Sequence, residues 1–203
     1  MKEFRMKNKN RFGKILSRLG ITFILAAGLL FSYNQYQSWQ AGKESSEILN
    51  NLQANISELE KDEKLSLEMP TKHFDGYDYI GIIDIPKLAI ELPVMAEWDY
   101  PRLRIAPSRH YGSTRTNDLV IAAHNYSSHF GKLDTLEIGD EINITEADGR
   151  VVRYKLEKMQ VMEPTRVEEV LDSDYDLALY TCTLESITRV VAFADEIEVN
   201  NEN

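Results

Sequence analysis

From about residue 73 the chain is a succession of short β-branched runs parted by turn residues, and this restricts the folds open to it. The runs occupy residues 79–86 (Tyr-Ile-Gly-Ile-Ile-Asp-Ile-Pro), 89–94, 118–123, 141–145, 151–161, 177–180 and 189–193. Residues 141–145 and 151–161 alternate apolar and polar side chains on either side of Asp148-Gly149, the pattern of a hairpin closed by a glycine turn. Only residues around 98–103 and 128–136 leave room for helices. Some seven strands in about 130 residues, without long helical stretches between them, predict an all-β barrel or sandwich. That length is enough to enclose its own core, and no internal repeat is visible.

The N-terminal part has a different texture. Residues 1–18 carry seven Lys or Arg and one Glu, so the net charge of −10 divides into +6 there and −16 over the rest. Between Arg18 and Lys43 there is no charge. The apolar run 19–31, extended by Ile15, Leu16 and the Ser32-Tyr33 edge, is about 19 residues long, near the lower limit for crossing a bilayer. Tyr33, Tyr36 and Trp39 follow it, where interfacial aromatics belong. A cleavable signal peptide is the competing reading, but no small-x-small site lies just after the apolar core. An uncleaved anchor is the expectation. It divides the chain into a basic cytoplasmic tail (1–14), a transmembrane signal-anchor (15–36), a polar, partly helical linker (37–73) and a β-domain (74–203). The positive-inside rule puts the N-terminus in the cytoplasm and the β-domain outside.

In the linker, Ile48, Leu52, Ile56 and Leu59 recur with helical spacing. A solvated spacer helix is the expectation, with a lid or dimerising stalk as the alternative. The acidic balance beyond residue 18 argues against a nucleic-acid partner. The single cysteine excludes an intramolecular disulfide framework and Cys-rich zinc or iron–sulfur sites.

That cysteine, Cys182, follows the apolar run 177–180. Arg189 opens the next apolar run, and His124 ends another, Leu119-Val-Ile-Ala-Ala-His. Three strand ends thus offer a thiol, an imidazole and a guanidinium. A thiolate attacks carbonyls, an imidazole can move its proton and protonate an amine leaving group, and a permanently charged guanidinium can stabilise an oxyanion. Taken singly, each residue has a bland reading: a small buried hydrophobe, a surface charge, a turn histidine. His129 is the rival imidazole, while His110 and His73 lie in polar, irregular contexts.

Taken in order, the three motifs resemble those of the sortases, the membrane-anchored cysteine transpeptidases of Gram-positive surfaces. The family has a Thr-Leu-x-Thr-Cys strand end, and this chain reads Ala178-Leu-Tyr-Thr-Cys182, departing at Ala178. It has a His at a strand end, often followed by Asn, as in Ala123-His-Asn125. Its Arg begins the strand after the Cys, as in Thr188-Arg-Val-Val-Ala-Phe193. The opening at 79–86 and the Phe130-Gly-Lys-Leu133 stretch fit as well. The similarity covers about residues 74–199.

The resemblance implies a closed sortase-type β-barrel of about seven to eight strands with short helices, preceded by a transmembrane helix and a helical linker. It implies that Cys182, His124 and Arg189 are catalytic and that Thr181 lines the site. The reaction would cleave a Leu-Pro-x-Thr-Gly-like sorting signal after Thr in a secreted protein and pass the acyl group to an amine. The acceptor would be a lipid-linked peptidoglycan precursor or a pilin Lys. In sortases the segment before the Cys strand helps to form the substrate groove, so Val167, Val170 and Leu171 are candidate substrate contacts. A helical turn packed on the barrel is the equal alternative for these three. Glu168, Glu169, Asp172 and Asp174 hold oxygen ligands of the kind Ca²⁺ takes, but a solvated acidic loop is favoured, and neither a metal nor a cofactor is expected. Two other readings compete. One is an L,D-transpeptidase, whose His and Cys lie close in sequence, whereas His124 and Cys182 are 58 positions apart. The other is an anchored, non-catalytic β-domain that binds wall or protein ligands and keeps Cys182 buried and inert.

Overall fold

In a computed structural model the described residues are 2–56, 67–183 and 187–197, with side chains described from residue 13 onward. The helix α1 (Lys2–Asn55) is followed by nine strands: β1 (Lys72–Phe74), β2 (Tyr77–Ile85), β3 (Ile90–Met95), β4 (Ser108–Tyr111), β5 (Leu119–Ala122), β6 (Glu141–Glu146), β7 (Val151–Met162), β8 (Leu177–Cys182) and β9 (Arg189–Glu196). A short helix α2 (Val167–Leu171) lies between β7 and β8. The chain divides into two compact units, Met1–Trp39 and Gln40–Asn203.

In the first unit, the apolar side chains from Ile15 to Phe31 are exposed. Among the described residues one helix is long and apolar enough to cross a membrane, and none of its apolar window is buried in the protein. A buried core helix is therefore not what this segment forms.

In the second unit the strands run in the order β1-β2-β3-β4-β5-β8-β9-β7-β6, and β6 pairs back with β2. Eight strands thus close into a barrel, with β1 as a short addition on β2, and the expected closed barrel is borne out. Among the described residues, closure leaves only the short β1 as an open edge. The expectation missed β1 and β4, because Lys72-His-Phe and Ser108-Arg-His-Tyr are too short and too polar to read as strands.

Period two along each strand assigns its side chains to two faces. Ile80, Ile83 and Ile85 of β2, Leu119 and Ile121 of β5, Leu177 and Leu179 of β8, and Val190, Ala192 and Ala194 of β9 fill the interior. Their neighbours face outward but are also covered, which is why these strands read as continuous apolar runs rather than alternating ones. Val120, Ala122, Ala178, Tyr180, Val191 and Phe193 pack with Leu103, Met162 and Val170 on one outer face. Tyr79, Ile82 and Met95 pack on another, beneath Ile48 and Leu52 of α1.

The last contact corrects the spacer reading of the linker. Ala41, Ser45, Ile48 and Leu52 form one buried helical stripe against the barrel, and Ile56 is packed against the same cluster. The fourth residue of the expected stripe, Leu59, lies outside the described residues. A stripe of four apolar positions is too short for its sequence to distinguish a docked helix from a solvated one.

Barrel closure depends on Gly81. It has φ +149°, and a Cβ there would lie 2.0 Å from the Thr145 carbonyl oxygen across the β2–β6 seam. Gly81→Ala should cost at least about 3 kcal/mol, because neither backbone can give way without breaking the ladder. Thermal unfolding of the full chain in detergent is the check, and a melting temperature within about 2 °C of wild type would refute it.

Candidate active site

Register alone brings three side chains together. Cys182 is directly opposite Arg189 in the antiparallel β8–β9 pair, so the two share a face, with Cβ atoms about 5 Å apart. Cys182 follows Ala178 and Tyr180 at period two, so that face is the outer, covered one. On the other side, β5 runs parallel to β8 with Ala122 beside Tyr180. His124 lies two residues beyond Ala122, as Cys182 lies two beyond Tyr180, so both reach the same level on the same face.

The intervening residues fasten the strands. The Ala123 amide donates to the Tyr180 carbonyl at 3.1 Å, the Thr181 hydroxyl to the Ala123 carbonyl at 2.9 Å, and the Asn125 side-chain amide to the Thr183 carbonyl at 3.1 Å. Beyond Cys182 the turn is pinched shut by the Thr183 amide donating to the Thr188 carbonyl at 3.0 Å.

Cys182, His124 and Arg189 line one cavity of about 270 Å³, together with Thr181, Val167, Pro164 and an aromatic group from Trp98, Tyr100, His110 and Tyr180. Cys182 is partly exposed and unpaired, so it is not the buried thiol that a binding module would keep. The structure divides the groove candidates. Val167 lines the cavity, but Val170 is buried in the outer-face core and Leu171 packs against that core, so neither reaches the cavity. Thr181 lines the cavity too, although its hydroxyl is already engaged.

His110 was not legible in the sequence. It sits on β4 with Nδ1 2.8 Å from the Tyr180 hydroxyl, and its ring meets that of Trp98 edge-on at 4.7 Å. Burial holds the His110 imidazole below its ordinary range and pushes the Tyr180 phenol up, so the hydrogen bond joins two neutral groups. No local signal marks this residue, because pairing of β4 with β5 brings it into the cavity from a short polar strand.

His124 stacks on Tyr126 with centroids 4.8 Å apart. Burial, and secondarily the Arg104 guanidinium, lower its affinity for a proton. The rival imidazole, His129, does not line the cavity. It lies beneath the loop, 1% exposed, and burial followed by repulsion from His124 pushes it down to about 4.

This makes His129 a source of acid sensitivity. Its folded-state value lies below the unfolded 6.5, so between about pH 6.5 and 4 the unfolded chain binds more protons. Its contribution to stability is complete above pH 6.5 and is lost as the pH falls toward 4, by about 3 kcal/mol in all. His129→Gln should therefore flatten the pH dependence of unfolding in that window. Unfolding midpoints at pH 7 and pH 4 for both proteins check this, and equal slopes would refute it.

A family model described as a sortase domain matches residues 83–197, more than half of the chain. The chain belongs to the sortase family. Among solved structures, this sortase is similar to a Clostridium perfringens sortase D5 transpeptidase (22% identity, TM-score 0.61, covering 76% of this chain and 99% of that one). It is similar also to sortase C1 of GBS pilus island 1 (17%, 0.62, 78% and 95%) and to a sortase C1 from Streptococcus suis (26%, 0.53, 62% and 76%). Comparison with curated proteins finds no match. Sortases as a family are cysteine transpeptidases, and the cavity holds the residue types that such chemistry needs.

Proposed function

We propose that this sortase cleaves a Leu-Pro-x-Thr-Gly-like sorting signal between Thr and Gly and transfers the new carboxyl end to an amine, anchoring surface proteins. The observation that carries this reading is that Cys182, His124 and Arg189, from three strand ends, line one cavity. The Cys182 thiolate attacks the Thr carbonyl carbon, whose oxygen takes up the negative charge opposite the Arg189 guanidinium. As the tetrahedral intermediate collapses, the C–N bond breaks and the His124 imidazolium gives its proton to the departing Gly amine. A thioester on Cys182 remains. An incoming amine loses its proton to His124 and attacks the thioester, restoring the thiolate and forming a new amide. The lowered proton affinity of His124 makes it a stronger acid when protonated, at the cost of a smaller protonated fraction at neutral pH.

The amine would belong to a lipid-linked peptidoglycan precursor or a pilin Lys. Residues 15–36 would cross the membrane once, with the basic tail 1–14 cytoplasmic and the domain 74–203 outside, at a Gram-positive cell wall. A shared membrane raises the effective concentration of a tethered substrate and a lipid-linked acceptor.

The experiment uses the full chain in detergent, a pool of Leu-Pro-x-Thr-Gly-like peptides and triglycine, with mass detection of protein and peptides. An acyl adduct on Cys182 and amine-exchanged peptide are expected. An adduct elsewhere, or exchange without Cys182, would overturn the assignment.

A further inference from the structure

The reading of His124 as the acid leaves two buried polar residues unexplained, and both belong to contacts between α1 and the loop that carries His124. Ser45 and His129 are 84 residues apart in sequence, each 1% exposed, with Ser45 Oγ 3.1 Å from His129 Nε2. Ser45 Oγ is also 2.6 Å from the Ile105 carbonyl oxygen. A carbonyl only accepts, so the single hydroxyl proton goes to Ile105 and Ser45 accepts from His129, whose ring also makes a hydrogen bond to the Ala41 backbone. This fixes the His129 tautomer with the proton on Nε2. It leaves Nδ1 as a bare lone pair, and Nδ1 has no hydrogen-bond partner among the described residues.

Burying such a pair is costly compared with an apolar residue, which would dock the Ala41–Leu52 stripe equally well. What the pair adds is direction. The His129 ring lies 5.6 Å from the Tyr126 ring, and Tyr126 is the ring on which His124 stacks. The loop is tight, with the His129 and Gly131 amides both donating to the Tyr126 carbonyl at 2.9 Å and the Phe130 amide donating to the His124 carbonyl at 3.2 Å. The helix meets this loop at a second point. At Gly42 any side chain would begin 2.9 Å from the Ser128 Cβ, so only glycine lets the helix approach this closely.

We infer that Ser45 is a positioning residue for catalysis, setting the orientation of the His124 imidazole through the ring of His129 and the stack of Tyr126. The inference rests on His124 being the acid. Far from a solvated spacer, this helix is part of the apparatus that aims the imidazole. A stacked ring without this support turns more freely, and small misalignments of a proton donor cost one to two orders of magnitude in rate.

The test uses the full chain in detergent, an internally quenched Leu-Pro-Glu-Thr-Gly peptide and triglycine. Ser45→Ala should lower kcat about tenfold, leave KM within twofold, and shift or broaden the His124 Hε1 resonance. With only four histidines in the chain, the imidazole spectrum is assignable. Ser45→Thr, which keeps the hydroxyl, should recover most of kcat. Should Ser45→Ala not fold, His129→Phe, which keeps the ring but removes the Nε2 donor to Ser45, offers the same two readouts. Loss of melting temperature with kcat and the His124 resonance unmoved would overturn the inference, since it would show that the pair only docks the helix. His124→Ala is the separating control. If it is inactive while Ser45→Ala is wild type, the inference falls and the catalytic reading stands. If His124→Ala keeps full activity, both fall.

Discussion

Cys182→Ala should reduce peptide cleavage and amine exchange by at least about ten-thousandfold, leaving no acyl adduct on the protein. No other thiol exists to substitute, and an alanine methyl has no electron pair with which to open an amide. The effect should be confined to chemistry. Cys182 is partly exposed at the end of β8, so trimming it creates no core cavity, and the melting temperature should stay within about 2 °C. His124→Ala should lose about a thousandfold, because the leaving amine then departs without a proton. Arg189→Ala should lose about a hundredfold to a thousandfold, the scale of one removed oxyanion donor. The double variant Cys182→Ala/His124→Ala should be no worse than Cys182→Ala alone, since the groups act on one intermediate. Retention of exchange by Cys182→Ala, measured by mass under single-turnover conditions, would end the thiol mechanism for this protein.

The second large effect concerns stability, and its cause lies away from the cavity. The Arg115 side chain is 3% exposed and sits between two wholly buried carboxylates. Its Nη2 is 2.7 Å from Glu146 and 2.6 Å from Asp148, and its Nε donates to Glu146 at 2.9 Å. Thr114 adds a hydroxyl donor to Glu146 at 2.7 Å, and Arg150, partly exposed, approaches the same carboxylate at 3.4 Å. The cluster ties the loop between β4 and β5 to the end of β6 and the β6–β7 turn. Arg115→Met keeps the length and apolar stem of the side chain but takes the guanidinium from two buried carboxylates, leaving Glu146 with only the partly exposed Arg150 as a cation. That should cost about 3–5 kcal/mol. The triple change Arg115→Met, Glu146→Gln, Asp148→Asn should recover a good part of the loss, because desolvation of charge rather than absence of attraction drives it. Thermal unfolding of the three proteins decides this. An Arg115→Met protein as stable as wild type would show that water reaches the cluster.

The residues of this cluster and of the His129 pair mark where sequence reading stops. Arg115 lies in Ser113-Thr-Arg-Thr-Asn117, a polar loop like any other, and its partners lie 31 and 33 residues away. Only closure of β2 on β6 buries them. Ser45 likewise reads as one more polar residue in a solvated helix. Its burial follows from the outer face of β2 and β3 presenting Tyr79, Ile82 and Met95, which one strand's sequence does not reveal.

By contrast, the exposed apolar span, the barrel class and the three strand-end residues were legible, and for physical reasons. An uncharged run bounded by seven basic residues has few places to go in water. Short β-branched runs with turn residues between them encode strands locally. A thiol, an imidazole and a guanidinium at strand ends also keep their meaning without knowledge of the neighbours, because chain order and strand polarity carry it. Strand pairing was not encoded locally. It placed Cys182 opposite Arg189 and level with His124, brought His110 from β4 into the cavity, turned Val170 into the core while leaving Val167 at the cavity, and made a docked brace of the helix after Gln40. These depend on register between segments far apart in the chain, where side-chain fit on both faces of the closed sheet selects one arrangement.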